Sequence, residues 1–290
     1  MILLHNIYFT VLLLFPFSNV QSCIIFHYRY CNEVSVNSFH THTYRCRHAT
    51  GDIKDYVKEA IAKGCTAIGF SDHTPLPDNR WKSVRMRMED LDGYCRSIDE
   101  AKLEFSGISI LKGLEGEYAP EYRQFYQDIT EKYNIEYLVC GAHFFPSDGA
   151  WKNVYGDLEN PRALSAYASY LVESIASGLF AFVAHPDLFA NSYMAWDENA
   201  LSASHDILSA ARDCKVPLEI NCYGLRKEKI VTDAGLRAPY PIREFWETAS
   251  EYGIKVIVNA DAHKPTDVIA EMDSGMAIAR DHGLEVIELH

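Results

Sequence analysis

The sequence predicts an α/β fold, specifically a seven-stranded (β/α) barrel. Three observations carry that expectation. Short apolar, β-rich runs alternate with longer amphipathic stretches, and continuous apolar strands separated by helices indicate a parallel sheet covered on both faces. Seven such units fit a closed barrel better than an open sheet. In unit after unit a residue able to bind metal stands at the end of the strand, where a parallel barrel gathers its active-site loops.

Taken in order, "VSVNSFHTH" (34–42) closes on His40 and His42, with His48 six residues on. The following "DIKDYVKEAIAKG" (52–64) has the i, i+3, i+4 apolar spacing of an amphipathic helix and ends in Gly64. "CTAIGFSDH" (65–73) closes on His73, "ISILKGLEGEY" (108–118) on Glu115, and "YLVCGAHFF" (137–145) on His143. "PRALSAYASYLVESIASG" (161–178) is a second amphipathic stretch with a terminal glycine, Gly178. "LFAFVAHPD" (179–187) then closes on His185, "VPLEINCYG" (216–224) is the sixth strand, and "IKVIVNADAH" (254–263) closes on Asp261 and His263. Gly253 precedes that seventh strand as a helix stop.

A lone histidine at a strand end is ordinarily a hydrogen-bonded structural residue. Here seven of the 12 histidines fall in these loops, while His5, His27, His205, His282 and His290 lie elsewhere and read as surface or structural residues. Imidazole and carboxylate together suit Zn, Mn or Fe. Nine candidate ligands exceed what one ion needs, so two to three divalent ions sharing ligands are expected, with Glu115 as a bridge. Such a cluster suits hydrolysis of a phosphate ester, because the metals lower the pKa of a coordinated water and neutralise phosphoryl oxygens. No Ser, Cys or Asp nucleophile is then required, and the chain has no GxSxG elbow and no P-loop.

Composition narrows the partners. A formal net charge of −13 opposes a general nucleic-acid surface, though bound cations can reverse the local field for a small anionic substrate. The eight cysteines show no CxxC pair, and reduced thiols in a cytosolic protein are expected. We divide the chain into an apolar N-terminal extension, 1–33, and a catalytic barrel, 34–290, with no linker between further domains. "MILLHNIYFTVLLLFPFSNVQSC" has the apolar run of an export signal but no Lys or Arg at its start and a poor cleavage site. It is marginal for a membrane span, being interrupted by Asn6, Thr10 and Pro16. An export signal, an extension packed on the domain and a start assigned too far upstream are the three readings, and the last is preferred. The expected location is therefore the cytoplasm, without membrane attachment and with the oligomeric state left open.

The set "HTHTYRCRHA", "GFSDH", "GLEGEY", "GAHF", "AHPD" and "NADAH" resembles the successive motifs of the PHP (polymerase and histidinol phosphatase) superfamily, over residues 35 to 285. "LEINCYGLRK", "YPIREF" and "ADAHKP" resemble its histidinol-phosphatase branch. The resemblance implies a distorted seven-stranded (β/α) barrel of the PHP type, with one ion on His40, His42, Glu115 and Asp261. It implies a second ion on His48, His73 and His263, and a third on Glu115, His143 and His185. It places the ligand at the first acid of "GLEGEY", leaving Glu117 as a supporting or loop residue, and Cys46 at a non-ligand position. The implied reaction is hydrolysis of L-histidinol phosphate, a small-molecule phosphate monoester, in histidine biosynthesis. The rivals are a PHP-type phosphoesterase or exonuclease acting on nucleotides, and a non-catalytic module that has lost its metals. For substrate contacts, Arg226 is the first choice as a bidentate phosphate fork, with Lys264 as a further anion-binding residue. Arg45 and Arg47 lie between the ligand histidines, and Asp187 is assigned to fixing a histidine tautomer or meeting the cationic end of the substrate.

Overall fold

The structure is a computed structural model, and it describes residues 8–12, 25–30, 36–233 and 235–290. Cys23, Cys31 and most of the 1–33 segment lie outside the described residues. The strands are β1 (Tyr8–Leu12), β2 (Ile25–Tyr30), β3 (Ala67–Phe70), β4 (Ser109–Gly116) and β5 (Tyr137–Cys140). They continue as β6 (Phe144–Ser147), β7 (Ala150–Asn153), β8 (Phe182–Val183) and β9 (Leu218–Asn221). The last are β10 (Ile230–Thr232), β11 (Gly235–Arg237), β12 (Lys255–Asn259) and β13 (Glu285–Leu289).

The order β3–β4–β5–β8–β9–β12 is parallel throughout. The stretch from Ser38 to His42 joins its two edges. Gly69 and Ser71 donate their N–H groups to the carbonyls of Ser38 and Thr41 at 2.9 and 3.0 Å. On the other side His42 N–H reaches the Ala262 carbonyl at 2.9 Å, and Ala262 N–H reaches that of His40 at 3.2 Å. The first unit of the expected barrel is thus a bridging segment rather than a regular strand, pairing through single bridges at Ser38 and Thr41. Helices cover the outside, as the apolar spacing requires. Ile53–Ala62, started by a capping box of Asp52 and Asp55, buries Ile53, Tyr56, Val57 and Ala60 against the sheet. Gly64 and Gly178, placed at helix ends by the sequence, have φ of 80° and 68°, the left-handed conformation that glycine adopts without steric cost.

The barrel interior is a separate apolar cluster. Phe39, Leu111, Tyr137, Val139, Phe182 and Ile257 point inward from successive strands. Below them sit Phe26 and Tyr28 of β2 and Ile287 and Leu289 of β13. Tyr28 donates its hydroxyl to the Ala181 carbonyl at 2.7 Å, which satisfies the only polar atom its side chain carries inward. β13 runs parallel to β12, β2 antiparallel to β13, and β1 antiparallel to β2. A strand inside the 1–33 extension therefore closes the bottom of the barrel, and the paired sheet crosses the boundary set at 34. The cause is legible afterwards: Phe26 and Tyr28 are buried with exposed His27 between them, a period-2 pattern behind a longer apolar run.

Candidate metal centre

The upper ends of the same strands carry the opposite chemistry. His40 and His42 are two residues apart in extended backbone, so both rings face inward, with centroids 5.0 Å apart. His40 Nε2 lies 3.3 Å from Glu115 Oε2 and 3.6 Å from Asp261 Oδ1. His42 Nε2 lies 3.4 and 3.2 Å from the same two oxygens. Glu115, at the end of β4, is central: His73 Nδ1 is 2.9 Å from Oε2, and His185 Nε2 is 3.4 Å from Oε1. His143 Nε2 is 3.7 Å from Oε1. Gly141 permits this approach, since a Cβ there would lie 2.8 Å from Glu115 Oε1. The backbone is strained at the rim, with positive φ at Ala142 (47°), His185 (32°) and Asp261 (47°), as functional sites often tolerate.

Ligand-capable atoms fall within 4.8 Å of one another in the groups His40–His42–Asp261, His48–His73–His263 and Glu115–His143–His185. The groups His42–His73–Glu115 and His42–Cys46–His263 share members with these. The structure thus gathers all nine sequence-predicted residues on one face. Both oxygens of Glu115, Asp261 Oδ1, His40 Nε2 and both ring nitrogens of His185 are buried without a hydrogen-bond partner among the described residues. Leaving so many buried polar atoms unpaired is costly, and a cation is what this donor set fits. The chemistry of the site is that of two or three divalent ions of the Zn, Mn or Fe kind.

Charge crowding sets the protonation. Burial opposes ionisation of Glu115 and Asp261, but the surrounding imidazoles hold both carboxyls well below the usual range. Burial and neighbouring histidines press His48 and His263 down to about 4. Neutral imidazole beside ionised carboxylate is the metal-binding form of each. Cys46 is buried beside His42 and His263, and burial pushes its thiol up, away from the thiolate that ligates.

A second layer fixes the rings. Glu219 accepts from His40 Nδ1 at 2.9 Å and from the backbone N–H of His185 at 3.1 Å, and is itself held by Asn221 and Asn259. Glu117 accepts from His143 Nδ1 at 3.1 Å and from Arg85 at 2.5 Å, which is the supporting role its motif position implies. A cavity of about 250 Å³ opens over the centre, walled by Arg85, Asn153, Tyr155, Tyr223, Lys227 and Tyr240.

Three assigned substrate contacts need correction. Arg226 is no free fork: it donates to the carbonyls of Cys222 and Ala270 at 3.1 Å, Ala260 at 2.9 Å and Asp261 at 3.3 Å. It pins the turn that presents Asp261, because four backbone acceptors outcompete water for one guanidinium. Asp187 accepts from Ile242 N–H at 2.7 Å and Trp246 Nε1 at 3.0 Å, so its partners are structural and neither is a histidine. Lys264 is 60% exposed on its side chain, 3.7 Å from Asp267, and does not line the cavity. Arg45 is buried on Asp52, Thr43 and Ser97, turned from the centre. Sequence reasoning missed Glu219, whose signal is an acid inside the apolar run "PLEIN", and Arg85, for which the sequence carries none. Lys227 stood beside Arg226 and was weighed only as its neighbour.

This is a (β/α) barrel with a multinuclear metal-binding mouth. The PHP domain family matches residues 38–222, and the chain belongs to that family. A Deinococcus radiodurans protein named "Probable histidinol-phosphatase" is 29% identical over 259 residues, covering 84% of this chain and 92% of its own. A Schizosaccharomyces pombe protein of the same name is 26% identical, covering 80% and 81%. The solved histidinol phosphate phosphatase of Lactococcus lactis, complexed with Zn, L-histidinol and phosphate, superposes with a TM-score of 0.67. It is 16% identical and covers 86% of this chain and 94% of its own.

Proposed function

We propose that this chain is a metal-dependent phosphatase that hydrolyses L-histidinol phosphate to L-histidinol and phosphate. One observation carries the reaction class: three groups of ligand atoms, each within 4.8 Å, line one open cavity, and Glu115 of one group also lies 3.3, 3.4 and 2.9 Å from His40, His42 and His73 of the other two. We assign His40, His42, Glu115 and Asp261 to one ion, His48, His73 and His263 to a second, and Glu115, His143 and His185 to a third. Divalent ions held there would supply an activated water and neutralise the phosphoryl oxygens. Glu219 and Glu117 hold the His40 and His143 rings with their free nitrogens toward the centre.

Lys227, on the cavity wall, takes the phosphoryl-binding role in place of Arg226. Its ammonium sits 4.8, 5.0 and 5.3 Å from the ring centres of Tyr155, Tyr223 and Tyr240, with no carboxylate partner among the described residues. Those rings and Asn153 give an imidazole-bearing leaving group apolar faces and a hydrogen-bonding edge. The names of the relatives support histidinol phosphate as that substrate. The chain's acidity favours a small ester over a polynucleotide. Six free cysteines among the described residues support a reducing, cytoplasmic setting.

The test is phosphate release by protein loaded with Zn, Mn or Fe, from histidinol phosphate beside a panel of nucleotides, with Glu115→Gln as control. Preference for histidinol phosphate is expected. Equal or better hydrolysis of nucleotides would overturn the substrate, and an unaffected control would overturn the site.

A further inference from the structure

On the far side of Arg85 from the metal centre lies a second cavity, of about 350 Å³. Buried Pro75, Leu76 and Met86 form its floor. Five cations line it: Arg47, Arg80, Lys82, Arg85 and Arg87. The acid that lines it, Glu89, is 2.6 Å from Arg87. In a chain of formal net charge −13, this hollow gathers five cations, of which Arg85 is paired with buried Glu117. Arg80 and Arg87 are partly neutralised by Asp78 and Asp90, whereas Arg47 and Lys82 have no ion pair among the described residues.

Two guanidinium nitrogens, Arg80 Nη1 and Arg85 Nε, are buried without a hydrogen-bond partner among the described residues. Arg85 is 2% exposed, so water does not readily replace that partner. The same burial holds those two atoms back from the hollow, so the charged N–H donors that an oxyanion meets first are those of the exposed Arg47 and Lys82. The volume suits a small ligand of that kind.

Arg85 is shared with the metal centre. Its Nη1 holds the Thr74 carbonyl at 3.0 Å and its Nη2 holds Glu117, the carboxylate that fixes His143. We propose that this basic cavity is a second oxyanion site, taking free phosphate or sulfate, and that its occupant draws Arg85 away from Glu117 and so slows turnover at His143. The binding site stands on its own geometry, while the effect on turnover rests on the phosphatase reading.

Full-length, zinc-loaded protein is titrated with sodium sulfate by calorimetry, with chloride holding ionic strength constant. Phosphate release is then measured against sulfate and against inorganic phosphate. The comparison protein is Lys82→Gln/Arg87→Gln, two exposed rim side chains outside the metal centre. Sulfate should bind the unaltered protein and lower kcat non-competitively. The double variant should keep its kcat/KM in the absence of sulfate and bind sulfate at least about fivefold more weakly. Inorganic phosphate should inhibit in two components: a competitive one that persists in the variant and a non-competitive one that it loses. Equal sulfate affinity in both proteins would overturn the site. Purely competitive inhibition by both anions would overturn the link to turnover. Inactivity toward histidinol phosphate would leave the calorimetric result able to decide the site.

Discussion

The two ends of this barrel are built from the same strands and hold opposite interiors. At the bottom, Phe26, Tyr28, Phe39, Tyr137, Phe182 and Leu289 seal a dry core whose buried hydroxyls are paired. At the top, one to four residues further along each chain segment, His40, His185 and Asp261 are almost as deeply buried yet keep atoms unpaired. Phe39 and His40 are adjacent, and Phe182 lies edge-on to the His40 ring at 6.5 Å. The difference shows that burial alone does not mark a stabilising core. One end satisfies its polar atoms internally and stabilises the fold, and the other leaves them aimed at a common point and is set to bind cations.

That contrast is broken most severely at Glu115. Glu115→Gln should lower kcat by about a thousandfold or more, the scale of losing a central electrostatic group, and should leave the fold intact by circular dichroism. A large loss of stability with activity retained would reverse the assignment of the two ends. Glu219→Gln should act next most strongly. It weakens the acceptor of His40 Nδ1, so metal affinity should fall by about 10- to 100-fold in chelator competition. Unchanged affinity would make Glu219 part of the packing rather than of the centre.

Asp187 tests a buried carboxyl just beyond the metal-binding end, two residues after His185. Burial pushes its carboxyl up to about 7, so the folded chain keeps a proton that the unfolded chain releases near pH 4. The folded state then binds more protons across that window, and stability falls as pH rises from about 4 to about 7. Asp187→Asn can still accept from Ile242 and Trp246 and carries no charge. Relative to the wild type it should gain stability steadily over that range in urea melts at pH 5 and pH 7.5, and parallel curves would refute the cause. The smallest effect is expected at the bottom. Tyr28→Phe removes one hydrogen bond to Ala181 and should cost about 1 kcal/mol in urea unfolding, with kcat unchanged.

Much of this was legible in the chain. The alternation of apolar runs and amphipathic stretches gave the parallel barrel, because strands buried on both faces must be continuously apolar. Strand-end position gave the nine metal-capable residues, because every parallel strand delivers its end to one face. The bottom closure was less legible, since β2 hides its alternation within a longer apolar segment and pairs with β13 about 260 residues away. The substrate contacts were least legible. Arg226, Asp187 and Lys264 have the right chemistry for a phosphate ester, and nothing local tells whether an arginine faces a cavity or four carbonyls.

By itself, then, the sequence determined the periodicities, and with them which residues are apolar, which end a strand and which can ligate metal. Only the tertiary structure decided which polar groups satisfy each other and which stay unpaired. Arg226 is used up by the turn at Ala260 and Asp261, while Lys227, one residue on, is left among three tyrosine rings. The physical reason is reach: hydrogen bonds and charge pairs act over a few ångströms between groups far apart in sequence, and only the closed barrel sets those distances.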